Sequence, residues 1–151
     1  MWTVKNIDWR SVFSRIRNDA GYPAPGYLTH EAVQWSDVQQ KWFFLPRKAS
    51  TTVYNEKRDE QKAANILISG SADLLSFIVT NIGGPSNPDC GFSAFDFLPD
   101  SNDEIIVALR SKEIENQPAE SYITIFDIFG EVYLDDQKLD GNYKFEGIYF
   151  V

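Results

Sequence analysis

Along most of this chain apolar and polar positions alternate with the two-residue rhythm of strands, and one early stretch departs from it. Between Asp8 and Ala20, the residues Trp9, Val12, Phe13 and Ile16 recur at helical spacing, with Asp8 placed to cap the first turn. Gly21, Pro23 and Pro25 stop the helix, while Arg10, Arg15 and Arg17 fall largely on its other side and read as a solvated face. After Gly26 the pattern is strand and turn. Strands are expected over 27–35, 41–46, 64–69 and 74–81, interrupted by the polar stretch 47–62. A second set of four is expected over 90–98, 104–110, 121–129 and 131–134, with turns at Pro99-Asp100-Ser101-Asn102 and Asp140-Gly141-Asn142. Residues 144–151 then read as a lone strand of a third set.

The first strand of each set carries one recurring pattern. His30-Glu31-Ala32-Val33-Gln34-Trp35, Phe92-Ser93-Ala94-Phe95-Asp96-Phe97 and Phe145-Glu146-Gly147-Ile148-Tyr149-Phe150 each run bulky, oxygen-bearing, small, apolar, variable, aromatic. Glu31 and Ser93 are 62 positions apart, and Ser93 and Glu146 are 53 apart. Residues two apart share a strand face, so Glu31 is expected beside Val33 and Trp35, Ser93 beside Phe95 and Phe97, and Glu146 beside Ile148 and Phe150. An ordinary strand would place an apolar residue first; here stand Glu, Ser and Glu. Repeated four-stranded units that each lend one strand to a shared centre describe part of a β-propeller. Small residues after each oxygen group (Ala32, Ala94, Gly147) suit the narrow end of such a blade. A closed propeller takes about four to eight blades, so the chain is expected to be about two blades, a closing strand and one N-terminal helix, all within one domain, 1–151.

Composition narrows the chemistry. The 151 residues suffice for one core, and 15% aromatics favour a folded, strand-rich chain. A formal charge of −8 argues against nucleic-acid binding. No apolar run is long enough for a membrane span, and Met1-Trp2-Thr3-Val4-Lys5 lacks the apolar core of a signal peptide. One His and one Cys give little material for zinc cages, disulfides or a Ser-His-Asp triad.

If the three repeat strands converge, two carboxylates and a hydroxyl face a common hole, and carboxylates buried without a counter-charge are costly. Calcium answers that problem, since it takes about six to eight oxygen ligands in tolerant geometry. The plainer alternative puts Glu31 and Glu146 at exposed strand ends with Ser93 a small filler. Asp100-Ser101-Asn102-Asp103-Glu104 fails as an EF-hand loop because Ile105 stands where Gly is needed, so it reads as a solvated turn. Asp135, Asp136 and Asp140 are likewise expected in turns. Arg47 and Lys48 read either as surface cations or as phosphate contacts, and Trp35 and Trp42 either as core or as a stacking platform.

Longer stretches carry a family likeness. Gly26-Tyr27-Leu28-Thr29-His30-Glu31, Trp35-Ser36-Asp37, Lys41-Trp42-Phe43-Phe44-Leu45-Pro46-Arg47-Lys48-Ala49-Ser50 and the charged run 55–62 resemble the soluble calcium-activated nucleotidases, the apyrase family of secreted and Golgi enzymes. The likeness continues through Gly91-Phe92-Ser93-Ala94-Phe95, Ile105-Ile106-Val107-Ala108-Leu109-Arg110 and Lys144-Phe145-Glu146-Gly147-Ile148. It implies an all-β, five-bladed propeller with one axial Ca2+, whose ligands here would be Glu31, Ser93 and Glu146. It also implies calcium-dependent hydrolysis of nucleoside di- and triphosphates of the UDP/GDP type, with Arg47 near the substrate and a secreted or ER/Golgi location. Only the C-terminal portion of the family pattern is matched. An incomplete, inactive fragment is therefore expected, completed by missing N-terminal blades or a homodimer. The alternative is a non-catalytic calcium-binding or adaptor module, and a carbohydrate-binding two-sheet protein is more remote.

Overall fold

The computed structural model describes residues 4 and 6–151. Helix α1 (Trp9–Asp19) is followed by two antiparallel four-stranded sheets, each running in chain order. The first comprises β1 (Tyr27–Ser36), β2 (Lys41–Ser50), β3 (Ile66–Ser71) and β4 (Phe77–Asn81). The second comprises β5 (Cys90–Phe97), β6 (Ile105–Lys112), β7 (Glu120–Asp127) and β8 (Val132–Lys138).

Alternation along β2 builds two cores at once. Phe43 and Leu45 face the second sheet and meet Phe92, Phe95, Phe97, Ile106 and Phe126. Phe44, between them, points the other way and joins Val12 and Ile16 of α1 with Ile66 and Ile68. Burying each such side chain contributes about 1.5–3 kcal/mol before conformational entropy is charged. The first sheet is thus held between the helix and the second sheet. Helix α1 starts as expected, with the Asp8 carboxylate accepting from the Arg10 N–H at 3.2 Å. Trp9, Trp35 and Trp42 pack on one another at 5.3–5.7 Å between ring centroids, so Trp35 and Trp42 are part of this packing.

Several expectations need correction. Residues 144–151 join no strand and have no ladder partner among the described residues. Side chains pin the segment instead. Ser121 Oγ donates to Tyr143 O at 2.8 Å and accepts from Phe145 N at 2.9 Å, and Phe150 N donates to Asp96 at 3.4 Å. Asp135 and Asp136 lie inside β8 rather than in a turn. They were hidden because β8 is mostly polar, its apolar Val132 and Leu134 being too few to show a period. The 47–62 stretch is not simply polar coil either, since β2 extends to Ser50 and a 3-10 helix spans Arg58–Gln61. At the Asp100 turn, Asp100, Asn102 and Asp103 adopt positive φ, and Asp103 accepts from Ser36 Oγ at 2.6 Å, which ties the turn to the first sheet.

Candidate metal centre

The repeat positions sit where strand regularity fails. In β1 the register breaks on both sides of His30, opposite Pro46, which has no N–H to give the ladder. The His30 ring turns to the helix side and stacks on Phe13 at 4.8 Å, whereas Ala32, two residues on, enters the core between the sheets. Glu31 lies between them without a register partner. In β5, Phe92 pairs with Arg110 and Ala94 with Leu109, leaving Ser93 as the extra residue of a β-bulge. A bulge re-aims its side chain, and strict alternation cannot show that. The expectation that Glu31 shares a face with Val33, and Ser93 with Phe95, is therefore corrected. Val33 packs against the helix-side core, Phe95 fills the inter-sheet core, and Glu31 and Ser93 face a separate pocket.

That pocket has a volume of about 270 Å³ and is lined by Glu31, Ser93, Lys144 and Glu146. All three repeat residues meet there. Ser93 is buried, and its hydroxyl lies 3.0 Å from Phe145 O and 3.4 Å from Leu109 O. One hydrogen serves the nearer carbonyl, which leaves the oxygen lone pairs for another group.

Arg47 and Lys144 knit the carboxylates into one line. Arg47 Nη1 donates to Glu31 at 3.3 Å and to Ser111 Oγ at 2.7 Å, and its Nη2 donates to Glu113 at 3.1 Å. The other Glu113 oxygen lies 3.3 Å from Lys144 Nζ, which lies 2.9 Å from Glu146. Glu31, Arg47, Glu113, Lys144 and Glu146 thus alternate in sign from the first repeat copy to the last. The Lys144 hydrogen bond holds the Glu146 carboxyl below the usual range. Burial pulls the Lys144 ammonium down, but its hydrogen bonds to Glu146 and Glu113 outweigh this and leave it raised.

Arg47 is not a surface cation. Its side chain is 7% exposed, and its Nη1 and Nη2 atoms donate to Glu31, Ser111 and Glu113. A Cβ on Gly91 would lie 2.6 Å from Arg47 Cγ, so glycine is what lets β5 approach this side chain. Glu113 and Lys144 escaped sequence reasoning. A weak signal existed for Lys144, since the residue two before the oxygen position is Thr29, Gly91 and Lys144 in the three copies.

Glu31, Ser93 and Glu146 offer hard oxygen donors of the kind calcium takes, and the Lys144 ammonium stands among them as a counter-cation. Among the described residues no three His, Cys, Asp or Glu side chains form a ready metal cage. A cleft of about 250 Å³ opens elsewhere between the sheets, but its buried Arg110 already pairs with Asp136 at 3.4 Å and covers the Phe92 ring at 4.4 Å.

Two stacked antiparallel meanders with an oxygen-lined pocket at their bulged first strands define a repeat β protein. The family model described as Apyrase matches residues 2–151, and the chain belongs to that family. Apyrase apy-1 of Caenorhabditis elegans is 45% identical over 147 residues, covering 97% of this chain and 41% of the relative. Soluble calcium-activated nucleotidase 1 of Rattus norvegicus is 42% identical over 149 residues, covering 99% and 36%. The Apyrase of Cimex lectularius is 40% identical over 148 residues, covering 98% and 40%. The chain spans about two-fifths of the length of these curated relatives.

Proposed function

We propose that this chain contributes Glu31, Ser93 and Glu146 to a calcium ion on the axis of a β-propeller that hydrolyses nucleoside di- and triphosphates. One observation carries the reading: three residues far apart in sequence line one pocket, with the Lys144 ammonium paired to one of its two carboxylates. Relatives named soluble calcium-activated nucleotidase and apyrase supply the ion and the reaction class. The two sheets would be two of five blades, and residues 144–151 the inner strand of a blade completed by further chain. Missing blades or a second copy would bring the remaining ligands, with water, toward calcium's usual six to eight. A nucleotide of the UDP or GDP type and a secreted or ER/Golgi setting follow from the same likeness.

When bound, calcium would screen and polarise the phosphate oxygens. The chain's own residues prepare that site. Arg47 fixes Glu31 from a buried position, so its role is to position a ligand rather than to touch phosphate. The Phe145 carbonyl orients the Ser93 hydroxyl. No carboxylate of this chain is assigned to orient the attacking water, and the isolated chain is inactive on this reading.

The test is a chimera in which residues 2–151 replace the matching segment of the C. elegans relative. Calcium-dependent phosphate release from UDP and GDP, lost on Glu31→Gln or Glu146→Gln, is the expected result. Release that persists in both variants would reject the site. A chain that binds calcium but leaves the chimera inactive would favour the second reading, a non-catalytic calcium-binding module, which the partial coverage of its relatives keeps in view.

A further inference from the structure

The charge line leaves one group in an odd position. Lys144 Nζ sits on the wall of the pocket, 2.9 Å from Glu146 and 3.3 Å from Glu113, where a cation-binding site would be expected to exclude a competing cation. The groups around it differ in exposure. The Glu146 side chain is 71% exposed and Glu113 46%, whereas Arg47, at 7%, is bonded to Ser111 and Glu113. Glu113 lies outside the pocket lining and spends one oxygen on each cation, so it can retain Lys144 without Glu146.

Resting on the calcium reading above, we infer that Lys144 is a built-in counter-cation which a divalent ion displaces from Glu146, and which then serves as a phosphate ligand while tethered to Glu113. A dication attracts the Glu146 carboxylate more strongly than an ammonium does and repels that ammonium at contact. An ammonium carries three donors, and giving up Glu146 frees at least one toward the pocket. Ammonium groups bind phosphate as point charges, so the freed lysine adds affinity only after the ion has entered. Metal and phosphate then bind with positive coupling. The lysine shields the carboxylates from one another in the empty site and grips the anion in the filled one.

Isothermal titration of this chain with CaCl2, and then with methylenediphosphonate at saturating calcium, tests both halves. Lys144→Met should bind calcium about two- to fivefold more tightly, as loss of a partly exposed ion pair allows. It should bind the diphosphonate at least about tenfold more weakly. Glu113→Gln should weaken calcium binding, because Lys144 then leans on Glu146 alone, and should not do so when combined with Lys144→Met. Lys138→Met removes the same charge from its Glu120 pair and should leave both isotherms unchanged. Unchanged or weaker calcium binding by Lys144→Met, undiminished diphosphonate binding, or an equal gain in Lys138→Met would overturn the inference while leaving the calcium site standing. Absence of calcium binding in both the wild type and Lys144→Met would overturn the calcium reading as well.

Discussion

His30 makes the stability of this fold depend on pH in a way that can be worked out. Its ring is stacked on Phe13 and meets Phe44 edge-on at 5.8 Å, and neither ring nitrogen has a hydrogen-bond partner among the described residues. Burial pushes the imidazole down from 6.5 to about 4. The unfolded chain therefore takes up a proton near pH 6.5, and the folded chain only near pH 4. Stability from this group is fully present above pH 6.5, falls as the solution is acidified, and levels off below pH 4. At about 1.4 kcal/mol per pH unit the whole effect is about 3 kcal/mol, of which about 2 kcal/mol has been lost by pH 5. It is the only histidine in the chain, which makes the attribution clean. His30→Phe keeps an aromatic ring in the stack and removes the titration. Urea unfolding of both proteins at pH 7.5 and pH 5 should show the variant gaining about 2 kcal/mol on the wild type between the two conditions. Parallel losses in the two proteins would refute the assignment.

Two further substitutions probe the junction between the sheets. Arg47→Met leaves Ser111 without its donor and the partly exposed Glu31 and Glu113 without their shared cation, and should cost about 1–3 kcal/mol in urea unfolding; a cost under about 0.5 kcal/mol would contradict the clamp. Gly91→Ala puts a Cβ 2.6 Å from Arg47 Cγ and 2.7 Å from Arg47 O. Backbone must move to admit it, so a loss of about 1–3 kcal/mol is expected in the same assay, and full stability would show that β5 does not approach β2 so closely.

Where local chemistry decides structure, it was readable in the chain. The Asp8 cap, the spacing of Trp9, Val12 and Ile16, and the alternation of Phe43, Phe44 and Leu45 each report a nearest-neighbour preference, and the corresponding elements formed within a few residues of expectation. The departures share another cause. Ser93 leaves its strand face because β6 has one residue fewer than β5 across the ladder, a property of the pair and not of either strand. Residues 144–151 have strand composition but pair with no strand among the described residues. Oxygen groups at an apolar position made Glu31, Ser93 and Glu146 conspicuous. Glu113 and the buried course of Arg47 arise only when β2, β5, β6 and the C-terminal segment come together, so no spacing announces them.

The most direct test of the central idea is the shift of thermal midpoint with added calcium. A site that binds only the folded chain stabilises it by about 2.7 kcal/mol at a hundredfold excess over Kd. The wild type should show a concentration-dependent rise in Tm that Glu31→Gln and Glu146→Gln abolish and Ser93→Ala diminishes. An identical rise in all four proteins would place the ion elsewhere and contradict a shared site at the three repeats.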